Sequence, residues 1–387
     1  MAGSPSQRQP GDAEAVAERV SLALTLRGAL AEPSGSEDDP YRRVLLRWVP
    51  EAEVASARLQ GRLRLTLGAG SVGAPPEALS KVLHEEVKEF RAVNGCEPEI
   101  VEVPQLGWLA VERPAPAGAQ PLSGKVALVT GAAGAIGAGI CRGLLAQGCR
   151  VAATDIAKAS LDGMVQEFAA EALGRIVGVG MDVTDPSSVA AAFDKAIEVW
   201  GGVDVVVVNA GIAMVAPLVE IDLEAFRKLE KVNVEGTLLT LAEAGRRLGR
   251  QGTGGDIVVV STKNVFAPGA QFGAYSATKA ASHQLARIAS LELAPLGIRV
   301  NMVAPDAVFA EGARKSGLWA EVGPSRMRAR GLDEKGLEEY YRNRNLLKAR
   351  VTATHVANAV LFFVTRQTPT TGATIPVDGG LPDATPR

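Results

Sequence analysis

The chain is 387 residues long, 47% hydrophobic and 22% charged, with a net charge of −2. That length accommodates one large α/β domain plus a further segment of domain size, with ample apolar side chains for a core. The near-neutral balance removes any electrostatic case for nucleic acid or an anionic membrane surface as a partner.

Residues 1–14 are polar, with Pro and Gly, and lack the apolar stretch of a secretion signal, so none is expected. The run Pro33-Ser-Gly-Ser-Glu-Asp-Asp-Pro40 reads as an exposed loop. Leu79, Val82, Leu83, Val87 and Phe90 recur at helical spacing and predict a helix over 78–93, followed by a strand over 99–103. Residues 114–121 have linker composition, which puts the expected boundary near Leu122. The expected division is therefore an N-terminal segment of uncertain fold, 1–120, and a second domain, 121–387. Cys96, Cys141 and Cys149 show neither metal-ligand spacing nor an even disulfide framework, so they read as small buried hydrophobes in a reducing compartment. The uncharged stretch 126–141 is glycine-rich and too short to cross a bilayer. A soluble, cytoplasmic protein is expected.

Beyond Leu122 strands and helices alternate. Strands are predicted at 126–130, 151–154, 176–181 and 203–208, the last nearly all apolar, as burial on both faces of a parallel sheet requires. Helices are predicted at 135–145, from Pro186 with Asp185 as its cap, over 226–248 and over 275–293. Further strands fall at 256–261, 298–303 and 373–377. Such alternation specifies an α/β fold with a doubly wound parallel sheet, the Rossmann arrangement, beside a smaller N-terminal α+β segment.

Thr130-Gly-Ala-Ala-Gly-Ala-Ile-Gly137 joins the first of these strands to its helix. Gly131, Gly134, Ala135, Ile136 and Gly137 would let the backbone and a helix N-terminus meet a pyrophosphate; a bare tight turn is the plainer alternative. Asp155 follows by about 20 residues, where a carboxylate accepts ribose hydroxyls and repels a 2′-phosphate, so NAD is expected over NADP. It would equally cap the following helix, and Arg150 nearby would soften the preference. Asp182 with Val183 closes the third strand, placed for the adenine edge, and Asn209, Ala210 and Gly211 close the fourth. Either group would also serve structure alone. Tyr275 and Lys279 stand four apart on one helix face. A lysine ammonium there would lower the phenol's pKa and fit it to exchange a proton with an alcohol or carbonyl. The same spacing also describes an ordinary solvated face.

From about Leu122 to Gly380, roughly two thirds of the sequence, the chain resembles the short-chain dehydrogenases/reductases. The resemblance rests on the Thr130–Gly137 turn, Asn209-Ala-Gly211, Tyr275-x-x-x-Lys279 and Val377-Asp-Gly-Gly380. It implies that Tyr275 is the general acid/base, that Lys279 lowers its pKa and holds the nicotinamide ribose, and that Asn233 anchors a water in the proton relay. Val308, after Pro305, would meet the carboxamide. The family serine position, thirteen residues before the tyrosine, is Thr262 here, preceded by Ser261, and the threonine keeps the needed hydroxyl. Ala135 replaces a family glycine, with glycine moved to Gly134. Pro305-Asp306 replaces Pro-Gly and puts a carboxylate at the substrate mouth.

Residues 261–269 and 337–348 are similar to sugar and polyol dehydrogenases, and more closely to the dehydrogenase half of bifunctional rhamnulose-phosphate aldolase/lactaldehyde dehydrogenases. That resemblance suggests Lys263, Arg342, Arg344 and Lys348 as readers of a phosphate or hydroxyl-rich substrate. A solvated basic helix accounts equally for the last three. Pro98-Glu-Ile-Val-Glu-Val-Pro-Gln-Leu-Gly-Trp108 is similar to the end of the aldolase half. With His84, His283 and His355 the only histidines, no metal site of that class is expected, and the segment reads as a reduced remnant. The expected activity is NAD-dependent oxidation of a sugar- or polyol-type alcohol or hydroxyaldehyde, in a homodimer or homotetramer. The alternatives are an NADP-linked 3-oxoacyl thioester reductase and a non-catalytic NAD-binding scaffold.

Overall fold

A computed structural model describes residues 10–55, 59–114, 120–310 and 317–384. They divide into two compact units: Met1–Pro116 with Asp194–Val203 and Arg250–Thr253, and the remainder, Ala117–Phe193, Asp204–Gly249 and Gly254–Arg387. Most of the linker-like run, residues 115–119, lies outside the described residues, as do residues 1–9.

The N-terminal unit contains α1 (Pro10–Ala29), β1 (Glu32–Pro33), β2 (Tyr41–Arg42), β3 (Leu45–Val49), α2 (Glu51–Val54), β4 (Arg64–Thr66), α3 (Pro76–Asn94), β5 (Ile100–Val103) and β6 (Gly107–Glu112). Its main sheet runs β3-β6-β5-β4, antiparallel except for the parallel β4–β5 pair. Leu22 and Leu26 of α1 and Leu83 and Val87 of α3 share one core with Leu46 and Leu109 from the sheet. The helix α1 was not anticipated. The loop expected over 33–40 is there, though its ends are pinned by the short β1–β2 pair.

The second unit contains β7 (Val126–Thr130), α4 (Ala135–Ala146), β8 (Arg150–Asp155), α5 (Lys158–Ala169), β9 (Ile176–Gly180), α6 (Pro186–Trp200), β10 (Val205–Val208), α7 (Leu223–Glu230), α8 (Gly236–Gln251), β11 (Gly255–Val260), α9 (Gly273–Glu292), β12 (Ile298–Pro305), α10 (Gly317–Arg330), α11 (Glu334–Arg344), α12 (Ala353–Val364) and β13 (Thr374–Val377). The ends of α6 and α8 belong to the first unit. β-Branched residues dominate the strands, and every residue of β7, β10 and β11 is buried. The seven strands are all parallel, in the order β13-β12-β11-β10-β7-β8-β9. This is the doubly wound sheet that the alternation specified.

The helix expected over 226–248 is not continuous. Between α7 and α8, residues Lys231–Glu235 form a π-turn, and Asn233 sits in its middle. A π-turn widens the ladder and leaves the Asn233 carbonyl in need of donors. The hydroxyls of Thr237 and Ser282 supply them, at 2.7 and 2.6 Å.

Candidate active site

The neighbours β7 and β10 are separated in sequence by β8 and β9, so the strand order reverses between them. A crevice at the carboxyl ends of such strands is where these sheets bind ligands. Asn209, after β10, closes it from one side: its Nδ2 donates to the carbonyls of Thr130 and Gly131 at 2.9 and 3.0 Å. The Thr130 hydroxyl accepts in return from the amides of Asn209 and Ala210, both at 2.9 Å. Gly131 has φ +63°, and a Cβ there would lie 2.8 Å from the Ala210 Cα. A Cβ on Gly137 would lie 2.2 Å from the Gly131 carbonyl oxygen, so the protein's own backbone demands both glycines. Gly134 is different. Its φ is −70° and a Cβ would meet only the Gly131 oxygen, at an ordinary 3.5 Å.

The crevice opens into a cavity of about 810 Å³. Gly131, Gly134, Ala135, Ile136 and Gly137 line it, with Asn209, Ala210 and Gly211 opposite. Asp155, Asp182 and Val183 line it too, at the ends of β8 and β9. The Asp155 carboxylate accepts from the amide of Ala133 at 3.0 Å and from that of Ala157 at 2.9 Å. It therefore braces the glycine turn and also the start of α5, while still facing the cavity. Arg150 does not accompany it: the two occupy opposite ends of β8, roughly 16 Å apart along a strand. Arg150 thus cannot soften a charge preference set by Asp155. One oxygen of Asp182 accepts from the amide and hydroxyl of Thr184, at 2.9 and 2.8 Å.

Tyr275 and Lys279 reach the same cavity from α9, and Thr262 from the turn after β11. The Thr262 side chain neighbours the Tyr275 hydroxyl, and its Oγ1 accepts from the amide of Asn264 at 3.3 Å. Burial pushes the phenol up to about 12, with the neighbouring threonine pulling it back slightly. Burial also pushes the Lys279 ammonium down to about 8. Its Nζ donates to the carbonyl of Val260 at 2.7 Å. The expected depression of the tyrosine by the lysine is therefore reversed in this state. Desolvation penalises both charged forms and outweighs any attraction between them.

Ser261 lines the cavity, but its hydroxyl lies 3.0 Å from the His283 Nδ1, and that ring sits edge-on to Phe266. Thr262, not Ser261, is the hydroxyl that acts on Tyr275. Asn233 does not line the cavity, unlike the other anticipated catalytic residues. It stands behind it, exchanging hydrogen bonds with both backbone groups of Ile212 at 2.9 Å and donating to the Thr278 hydroxyl at 3.1 Å.

Pro305, Asp306 and Val308 border the remaining wall with Lys263, whose Nζ donates to the Ala267 carbonyl at 3.0 Å. Burial raises Asp306, and Arg344 and Lys263 partly offset it. Arg344 lines the cavity, whereas Arg342 and Lys348 are exposed outside it. Among the lining residues that went unnoticed in the sequence are Arg326 and Arg330 of α10, and Tyr340 and Tyr341 of α11. Their signal was available, as cations at i and i+4 followed by adjacent tyrosines.

The family model described as short chain dehydrogenase matches residues 125–320. The chain belongs to the short-chain dehydrogenase family. An uncharacterized oxidoreductase, YuxG, of Bacillus subtilis (strain 168) is 38% identical over 271 residues, which is 68% of this chain and 38% of that one. This chain thus spans well under half of that relative's length. The L-2,3-butanediol dehydrogenase of Corynebacterium glutamicum is 34% identical over 267 residues, 66% of this chain and 98% of the relative. Sorbitol-6-phosphate 2-dehydrogenase SrlD from Erwinia amylovora superposes with TM-score 0.61 at 28% identity, over 66% of this chain and 98% of that one.

As a short-chain dehydrogenase the protein is an oxidoreductase acting on CH–OH groups with a nicotinamide dinucleotide, NAD or NADP. The residues present fit such a cofactor. The fold itself does not require Gly134 to be glycine, and the missing side chain leaves open space on the cavity wall next to the N-terminus of α4. Among the described residues of this dehydrogenase, no helix is long and apolar enough to cross a membrane. Nor do three or more His, Cys, Asp or Glu side chains gather among them as a metal site would need.

Proposed function

We propose that this short-chain dehydrogenase oxidises a secondary alcohol or hydroxyaldehyde of sugar or polyol type with NAD. The observation that carries the reading is the neighbouring hydroxyls of Tyr275 and Thr262 inside one cavity, with Lys279 one helical turn away. A bound nicotinamide supplies the acceptor for the two electrons that leave with the substrate C–H. Tyr275 takes the hydroxyl proton as the C=O bond forms and gives up its own phenolic proton towards the neutral amine of Lys279, while Thr262 holds the reacting oxygen. The Lys279 Nζ is fixed by the Val260 carbonyl at 2.7 Å. Asn233 keeps one side-chain lone pair for a relay water, its other bonds fixing Ile212 and α9.

The glycine turn with Ala135 and Ile136 would hold the pyrophosphate, Asp155 the adenosine ribose, Asp182 and Val183 the adenine, and Pro305 and Val308 the carboxamide. Asp155 supports NAD over NADP, because a fixed carboxylate there opposes a 2′-phosphate. Relatives named for butanediol and sorbitol 6-phosphate support the polyol class. The same reading includes a cytoplasmic homo-oligomer, supported by exposed Leu238 on α8 and by Ile288 and Leu291 on α9. It assigns the N-terminal unit to packing, dimer contacts or partner binding as a remnant without a metal site.

The test is turnover with NAD and with NADP over polyols, hydroxyaldehydes and 3-oxoacyl thioesters, in wild type and Asp155→Asn. NAD-linked oxidation of a polyol or hydroxyaldehyde is expected, with the NAD:NADP ratio of kcat/KM falling at least about 10-fold in the variant. NADPH-linked reduction of a thioester would overturn the reading. NADH binding without turnover of any substrate would replace the enzyme with a scaffold.

A further inference from the structure

We propose that the substrate carries an anionic head group, a phosphate monoester or a carboxylate, which Arg326 and Arg344 grip within the cavity that holds Tyr275. This rests on the dehydrogenase reading above and narrows its substrate class. Lys263, Arg326, Arg330 and Arg344 line the cavity, which Asp155, Asp182, Lys228 and Lys279 also line; the acids acting on Lys263 are Asp306 and Asp383. The groups sense one another: Asp306, Arg344, Asp383 and Arg326 all act on the charge of Lys263. None of the four cations makes an ion pair with a carboxylate among the described residues. Elsewhere in this unit Arg299 and Arg366 are paired with Asp256, and Arg247 with Glu243.

Arg326 is the least expected of the four. It is 9% exposed, yet its Nε has no partner among the described residues. One Nη donates to the Ala270 carbonyl at 3.3 Å, and the guanidinium stacks over Phe272 at 4.6 Å. Arg344 stacks on Tyr341 at 5.4 Å and Arg330 on Tyr340 at 4.6 Å. Stacking fixes a guanidinium by its face and leaves its N–H edge available, which suits bidentate capture of a planar or tetrahedral oxyanion. A buried cation without a counter-charge from the protein is unfavourable, and an anionic ligand relieves it.

Two measurements on the full-length protein test this. The first compares kcat/KM for sorbitol, sorbitol 6-phosphate and gluconate in wild type, Arg344→Gln and Arg344→Lys. One anionic compound should exceed sorbitol by about 100-fold, and which one does so separates phosphate from carboxylate. Arg344→Gln should reduce that selectivity ratio by about 10- to 100-fold and Arg344→Lys should restore part of it. Equal use of neutral and anionic compounds, or a ratio unmoved by Arg344→Gln, overturns the proposal. The second follows binding of inorganic phosphate and of acetate to the NADH-saturated protein by calorimetry. Arg344-dependent anion binding without turnover would sink the dehydrogenase reading and leave the anion site standing. No anion binding, with sorbitol turned over, would do the reverse.

Discussion

Lys279 and Tyr275 carry opposite charges when ionised, yet both are held towards neutrality, because each is buried and neither meets the other's charged form. That has a consequence for stability. The unfolded chain keeps the lysine proton to about 10.5, the folded chain only to about 8. Between those values the unfolded state binds more protons, so the lysine's contribution to stability rises with pH. Its burial penalty is full below pH 8 and gone above 10.5, a span on the order of 3 kcal/mol. Tyr275 acts in the other direction: held up to about 12 in the fold, it contributes stability that is lost as pH climbs above 10. The buried thiols of Cys141 and Cys149 are raised in the same way and lose stability at high pH as well. Comparison with Lys279→Met isolates the lysine. In urea titrations the variant should be more stable than wild type at neutral pH, with the gap closing between pH 8 and 10.5. A gap that does not change with pH would show that the ammonium is not desolvated.

At the scale of elements, the π-turn between α7 and α8 is what sets Asn233 against Ile212 and Thr278. Thr237→Val and Ser282→Ala each strip one hydroxyl donor from the Asn233 carbonyl. Each substitution should cost about 1 kcal/mol, and the pair at least their sum, because both hydroxyls serve one carbonyl. Negligible losses in thermal unfolding would mean the turn is held by other contacts. The turn was invisible in the sequence because Lys231-Val-Asn-Val-Glu235 has ordinary helical composition and one of its supports lies 49 residues away. The strands of the seven-stranded sheet were readable for the opposite reason: runs such as Val205–Val208 are apolar and β-branched throughout. The helix α1 escaped notice because Leu22, Leu24 and Leu26 alternate as in a strand, and all three are buried. Arg344 read equally as part of a solvated basic face, and the fold brings it to the cavity with Arg326, Arg330, Tyr340 and Tyr341, none of which the sequence had singled out.

For the whole molecule, the glycine turn, Asp155, Asn209 and the Tyr275–Lys279 pair were legible because their spacing reflects the ends of parallel strands, where the topology gathers them. The division of the chain was less so. Residues 194–203 and 250–253 belong with the N-terminal unit, and no change in composition marks them. The account as a whole depends on Tyr275 handling the substrate proton. The most direct measurement compares wild type with Tyr275→Phe, following NAD-linked turnover by nicotinamide absorbance and NADH binding by fluorescence. The account predicts turnover lower by about 10²- to 10⁴-fold with cofactor affinity unchanged. Turnover surviving in the variant, or lost only together with NADH binding, would contradict it.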